Sequence, residues 1–321
     1  MAHRRRLDLG LVMGSGELDF RLYREGDEQG ILRILSEEAG LRYSIDHWTW
    51  LLPLGEKGRA IVVGERGSEI VAVCAGCRLR FAIDGRELAA VELRGLAPRD
   101  RGDRERVVDY FIDTFASPES FALAMAHFEF EGAEQTPVTA LVREKAGSVT
   151  PRRLLYRAEP ARDWEPRLDA LWERARNSYP VSVVRNADRA LRRFAGHPSV
   201  QHHRFLVFPR YSSSPVAVAV FAKHGSECCW LDVIWDHEHP GALDLLAHIS
   251  GRLRAQWGSR EERLWLAGDE TASKLLAGRG FRPATSTPDF AWLRSLAPGL
   301  EAGDIVGRAY LTLADLGGLG S

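Results

Sequence analysis

Four arginines, Arg99, Arg101, Arg104 and Arg106, crowd around Gly102 in a turn between a strand-like run at 89–96 and a helix-like run at 104–115. A strand that enters a helix through a glycine-containing turn leaves backbone N–H groups free at the helix start. Those groups and the helix dipole favour an anion, commonly a phosphate. Asp100, Asp103 and Glu105 offset most of the arginine charge, so the same residues also read as a solvated charged turn. Other reactive side chains argue for less. Cys74 and Cys77 form a Cys-x-x-Cys inside an expected strand, where positions i and i+3 face opposite sides, against a shared metal or a redox pair. Cys228-Cys229 reads as core. His237, Glu238 and His239 carry ligand atoms close together with no second pair nearby, so a polar loop is expected and no metal site. His127 is either a base or a satisfied core group.

The rest of the chain bounds what these residues can serve. At 321 residues it exceeds what one core usually organises, so two domains are expected. It is 45% hydrophobic and 27% charged, with a formal net charge of -1, which gives no global basic field for nucleic acid. Four cysteines make no disulfide framework. The basic start, with Arg4, Arg5 and Arg6, is followed by an apolar run broken by Asp8, Gly10 and Gly14, too interrupted for a signal peptide. No apolar run reaches the length of a membrane span. A cytoplasmic protein with a disordered tail at 1–17 is expected, with no membrane partner.

Hydrophobic periodicity gives the elements. Leu18, Phe20 and Leu22 alternate as a first strand; Ile31, Leu32, Ile34 and Leu35 share a helix face; Ser44 caps a second helix ending before Pro53. Three strands follow at 60–64, 69–81 and 87–96, the last two joined by the hairpin signal Asp84-Gly85. A helix at 104–115, a strand at 121–128, a helix at 137–145 closed by Gly147, and a strand at 153–157 complete the first half. Pro160, Asp163 and Pro166 suggest a linker. Beyond it come helices near 168–175 and 185–194, strands at 203–208, 215–223 and 228–235, a helix at 241–256, a strand at 263–267, a helix at 271–277 and short strands at 291–293 and 310–313. The order of elements repeats with little residue identity. A duplicated mixed α/β domain is the simplest account, the halves being 18–158 and 167–321. Trp48 and Trp50 read as core or lobe-interface packing, or as a stacking surface in a groove.

This order, the strand–turn–helix at 89–115 and the ending at 274–281 resemble the GNAT superfamily of N-acetyltransferases in tandem form. Pro98-Arg99-Asp100-Arg101-Gly102 looks like the start of that family's pyrophosphate loop, and His47-Trp48-Thr49-Trp50 is similar to an aromatic helix of bacterial tandem GNAT proteins. The resemblance implies two GNAT-like lobes, each a mainly antiparallel mixed sheet flanked by helices. It also implies an acyl-CoA co-substrate, acetyl-CoA first among them, bound along Leu93, Gly95, Arg99, Arg101, Gly102, Asp103, Arg104 and Arg106. Glu92 stands where the family commonly places its general base, and Asp232 is its counterpart in the second lobe; each reads equally as a salt-bridged strand residue.

The departures are specific. Arg104 and Arg106 stand where the family has small residues, and could bind phosphate through their side chains. The tyrosine that often protonates the departing thiolate is replaced by Arg143 and Leu276. Two readings follow: an N-acyltransferase acting on a small amine or amino-sugar acceptor, with room for a homodimer, or a degenerate tandem GNAT-like module that binds a ligand or partner without chemistry.

Overall fold

The computed structural model describes residues 18–38, 42–52, 59–98, 100–116, 121–125, 132–145, 150–162, 165–285 and 289–315. The tail at 1–17, Arg99, His127 and Gly147 lie outside them. The first half runs β1 (Asp19–Leu22), α1 (Glu28–Glu38), α2 (Ile45–Leu51), β2 (Arg59–Arg66), β3 (Glu69–Ile83), β4 (Arg86–Ala97), α3 (Arg101–Phe115), β5 (Phe121–Met125), β6 (Glu134–Arg143) and β7 (Tyr156–Pro160). The second runs α4 (Arg167–Ala175), β8 (Val181–Val183), α5 (Ala187–Phe194), β9 (His203–Pro209), β10 (Ala217–His224), β11 (Glu227–Trp235), α6 (Pro240–Trp257), β12 (Glu261–Ala267), α7 (Glu270–Ala277), β13 (Arg282–Pro283), β14 (Asp289–Ser295), α8 (Ala302–Ile305) and β15 (Ala309–Thr312).

Both halves carry the same plan. Three antiparallel strands (β2, β3 and β4; β9, β10 and β11) are followed by a helix (α3; α6) and a parallel fourth strand (β5; β12). In the first lobe Asp84 and Gly85 take left-handed backbone, φ 46° and 83°, as a two-residue hairpin turn requires, and join β3 to β4. Alternation along β3 then sorts its two faces. Ala72 and Cys74 pack with Val107 and Phe111 of α3, while Val73 and Ala75 pack with Leu35 of α1 and Trp48 of α2. Cys77 packs on the α2 side, so it and Cys74 do face opposite ways.

Strands cross between the halves. β14 lies between β5 and β6 in the first lobe. β6 serves both sheets: Glu134–Val138 pair with β14, and Thr139–Arg143 pair with β12 of the second lobe. β8 pairs with β3 and with β15, closing a second link. The lobes therefore share hydrogen-bond ladders and are fixed to each other.

Residues 137–145, expected as a helix, are thus largely strand, with β6 running to Arg143. Pro137 favours a helix start. However, Thr136, Val138 and Ala140 alternate inward with period two, and the strand's two neighbours decide the outcome. The strand expected at 153–157 starts later: residues 151–155 form a 3₁₀ turn before β7. Among the described residues no helix is long and apolar enough to cross a membrane.

Arg143 anchors β6 in the second lobe. Its guanidinium donates to both Glu262 carboxylate oxygens (3.1 and 2.5 Å) and to Ala247 O of α6 (2.6 Å), with both side chains buried. Removing one partner of such a pair leaves an uncompensated charge in the core. Glu262→Gln is expected to cost about 3–5 kcal/mol in urea denaturation. The double change Arg143→Met with Glu262→Leu should cost less than the single. A single variant as stable as wild type would show that Arg143 does not hold the strand.

Candidate active site

Glu92 is the last residue of the β4–β5 ladder, opposite Leu123. β4 runs on to Ala97 and β5 to Met125, but their pairing ends at Glu92, so the strands part beyond it. At the same point β4 carries one extra residue: the β3 register steps from Gly76 opposite Leu93 to Ala75 opposite Gly95, leaving Arg94 as the bulge. Only glycine fits at 76, because a Cβ there would lie 2.2 Å from Glu92 O. The bulged Arg94 donates to Glu92 Oε2 (2.9 Å) and to Leu51 O at the end of α2 (2.7 Å).

Helix α5 forms the facing wall. Asn186 caps it by accepting from Arg189 N–H (3.0 Å). Arg189 and Arg193 lie one turn apart. Arg189 reaches Glu92 Oε2 at 3.9 Å and Asp315 at 2.8 Å. Arg193 is 3% exposed, and neither terminal nitrogen has a hydrogen-bond partner among the described residues. Glu92, 1% exposed, likewise leaves Oε1 unpartnered. A cavity of about 240 Å³ separates these walls, lined by Glu92, Arg94, Arg189 and Arg193 among others. Burial alone would raise the Glu92 pKa, but Arg94, Arg189 and Arg193 outweigh it and hold the carboxyl below its ordinary value. Burial, then the charge on Arg94, lowers Arg193 to about 10.

The second lobe differs where it matters. β11 and β12 also part, after Trp230 and Leu264, but here β15 fills the gap. It pairs with Leu266 and Ala267, Tyr310 OH donates to Val233 O, and Ala314 N–H donates to Leu231 O at 2.8 Å. Asp232 accepts from Arg185 Nε (3.0 Å), Thr312 Oγ1 (2.9 Å) and its neighbour's N–H (3.0 Å). The space beside it is about 30 Å³, room for a water and not for an acceptor. The structure thus brings Glu92 to a cavity and encloses Asp232 in an ion cluster.

The arginine turn is partly self-satisfied. Asp100 caps α3, its carboxylate accepting from Asp103 N–H (3.1 Å) and its backbone oxygen from Arg104 N–H (3.1 Å). Asp103 pairs with Arg66 (2.8 Å) and lies 3.7 Å from Arg106, whose guanidinium sits over the Phe20 ring. Gly102 is in the first turn of α3, which begins at Arg101. Leu93 packs into the α3 side of the sheet, and a Cβ at Gly95 would touch Trp48, so both reach a ligand only through backbone. Arg104 keeps a buried Nε with no partner among the described residues. Among the described residues, no cluster of three or more His, Cys, Asp or Glu could hold a metal.

Arg94, Arg189 and Arg193 were not anticipated from the sequence. The readable signal was the i,i+4 spacing of Arg189 and Arg193 on a short helix whose Phe194 is buried. A second unforeseen group adjoins them. His47, Trp50, His197 and His202 pack together in tilted and edge-on contacts, with ring centroids 4.1–6.5 Å apart, and Trp50 Nε1 donates to Ala195 O (2.8 Å). Trp48 is core and Trp50 is packing between lobes.

No protein-family model and no curated protein sequence matches the chain. Solved structures do. A GCN5-related N-acetyltransferase from Anabaena variabilis superposes with a TM-score of 0.66 at 12% identity, over 87% of this chain and 73% of that one. A tandem GNAT protein from the clavulanic acid biosynthesis pathway gives 0.55 at 14% identity, over 88% and 100%. N-myristoyltransferase of Saccharomyces cerevisiae, solved with bound myristoyl-CoA, gives 0.59 at 13% identity, over 89% and 80%. The likeness is one of fold: the chain has the GNAT fold in tandem form.

The histidine cluster makes the lobe junction acid-sensitive. Burial first, then neighbouring positive groups, lowers His197 to about 4; burial, opposed by the bond to Phe194 O, also brings His202 to about 4. The unfolded chain takes up these protons near pH 6.5, whereas the folded chain does not until about pH 4. Stability from the neutral imidazoles is therefore complete above pH 6.5 and falls as the pH drops toward 4. Urea midpoints at pH 7.5 and 5.0 should differ more for wild type than for His202→Gln. Equal pH dependence in the two proteins would contradict this.

Proposed function

We propose that the chain is an acyl-CoA-dependent N-acyltransferase with one working site, in the first lobe, acting on a small amine. The observation that carries this reading is Glu92, an ionised carboxylate with a free oxygen, placed where β4 and β5 part and facing a cavity between the lobes. Proteins that share the fold at low identity are N-acetyltransferases, and one binds myristoyl-CoA. That likeness supports a thioester lying between the parted strands, with the β4 edge from Leu93 to Ala97 free of a ladder on the β5 side. Acetyl-CoA is the donor to test first.

In this reading the amine nitrogen attacks the thioester carbonyl carbon. The N–C bond forms, the C–S bond breaks, and the electron pair leaves on the CoA sulfur. Three arginines make Glu92 a poor proton sink. Its Oε1 instead accepts an N–H of the amine, orients the lone pair and stabilises the positive charge that grows on nitrogen. The proton passes through water to the thiolate, since Arg143 is locked in its ion pair and Leu276 is core, and neither can donate it. The pyrophosphate would meet the start of α3 and Arg104, displacing the Asp100 carboxylate from Asp103 N–H. That capped helix start, together with the absent tyrosine, favours the second reading, a ligand-binding module without acyl transfer. The second lobe adds no site, because β15 occupies its gap.

Calorimetry with acetyl-CoA should give one site per chain. Arg104→Glu should weaken binding at least about tenfold, since one charge-assisted contact is worth about 1.5–3 kcal/mol. Glu92→Gln should keep CoA binding and slow thiol release with an amine by about tenfold or more. No CoA binding by wild type would favour the binding module, and two sites per chain would contradict the filled second cleft.

A further inference from the structure

Arg193 poses a problem that the acyltransferase reading alone leaves open. It is 3% exposed, lines the cavity between β4 and α5, and has both terminal nitrogens unpartnered among the described residues. A buried guanidinium without an anion is costly, and proteins rarely keep one. Its arginine neighbours are provided for. Arg94 has Glu92 (2.9 Å), Arg189 has Asp315 (2.8 Å), Arg192 has Asp188 (2.6 Å), and Arg80 has Glu87 (2.7 Å). Arg78 is exposed and lies over the Phe115 ring. Among the described residues, one buried cation in the cavity therefore has no ion-pair partner of its own, and its two terminal nitrogens present a fork.

The opposite charge supplies the other half. Glu92 lines the same cavity, and its buried Oε1 accepts from no group among the described residues. A ligand that satisfied both groups would bring an anion to Arg193 and an N–H donor to Glu92. Building on the acyltransferase reading, we infer that the acceptor is a small amino carboxylate, its carboxylate held by Arg193 and its amine held by Glu92. A carboxylate fits better than a phosphate because a single buried guanidinium is without an ion-pair partner among the described residues and the Arg193 fork matches two coplanar oxygens. A cavity of about 240 Å³ suits a molecule of amino-acid size, not a peptide or a glycan chain.

Binding can be read without acyl-CoA, which separates this inference from the reaction. Calorimetry on the full chain would use glycine, alanine, β-alanine and 4-aminobutyrate. Alaninamide, ethylamine and 2-aminoethylphosphonate would serve as controls. At least one amino carboxylate should bind, at least tenfold tighter than its amide or the simple amine. Arg193→Gln should lose tenfold or more for that ligand while leaving the weak binding of ethylamine unchanged. Arg193→Lys, which keeps the charge and loses the fork, should fall between. Amide binding equal to acid, a phosphonate preferred over every carboxylate, full affinity in Arg193→Gln, or no binding by any member would overturn the inference. Should Arg193→Gln not fold, the wild-type panel and Arg193→Lys still decide. Amino carboxylate binding with no transfer from acetyl-CoA would sink the acyltransferase reading and leave this one standing. Transfer to simple amines and amides as fast as to acids would do the reverse.

Discussion

The structure turns on a buried chain of alternating charges that joins the two lobes: Glu92, Arg189, Asp315, Arg185 and Asp232. Glu92 comes from β4 of the first lobe, Arg189 and Arg185 from in and before α5, Asp315 from beyond β15, and Asp232 from β11. Each ion would be expensive in isolation, and each is offset by its neighbours. Asp315 also accepts from Thr312 N–H (2.9 Å), so the chain fixes the C-terminal segment as well. Any change at one member is felt along the line, because the groups share partners and their energies are not additive. The lobe interface is therefore built from a polar network with apolar clusters on either side, and Arg193 and the free oxygen of Glu92 are its unfinished end.

The same network explains how two lobes of one plan come to differ. In each, a parallel pair parts beyond its last hydrogen bond. In the second lobe β15 enters the gap, and Gly268 permits it: a Cβ there would lie 2.5 Å from Ala309 O. Thr312 of that strand then hydrogen-bonds Asp232, and Asp315 just beyond pairs with Arg185. The carboxylate that a duplicated fold would offer as a second site is converted into a clamp for the strand that fills the cleft. Strand sharing by β6 and β14, with β8 paired to β3, ties together the halves that face each other across the cavity beside Glu92.

Much of this was legible. Period-two alternation and Asp84-Gly85 gave the β2–β3–β4 meander, Ser44 gave the start of α2, and the repeated order gave the tandem fold. What failed were elements decided by distant partners. Residues 137–143 carry a helix-compatible composition, and only the neighbours β12 and β14, from far along the chain, make them a strand. The site was half legible for the same reason. Glu92 could be placed from its position before the turn, whereas Arg189 and Arg193 lie about a hundred residues away on a helix with an ordinary charged surface pattern. No spacing rule relates them. The bulge at Arg94 is likewise silent in sequence, except that Gly76, across the ladder, has no side chain to spare.

The arrangement also constrains what kind of catalyst the cavity could be. A carboxylate surrounded by three guanidinium groups is a strong point of negative charge and a weak base. A site that relied on proton abstraction would place its carboxylate among apolar or acidic neighbours, to raise its pKa toward neutrality. Here the neighbours do the opposite. The chemistry that suits such a group is holding a positive or partly positive nitrogen in position, with the proton passing through water to the thiolate. An acceptor that carried its own anion would then serve twice. It would compensate Arg193, and by lowering the net positive charge around Glu92 it would raise the basicity of that carboxylate when the acceptor is present. Substrate binding would thereby assemble the more reactive form of the site, and amines without an anion would meet the less reactive one.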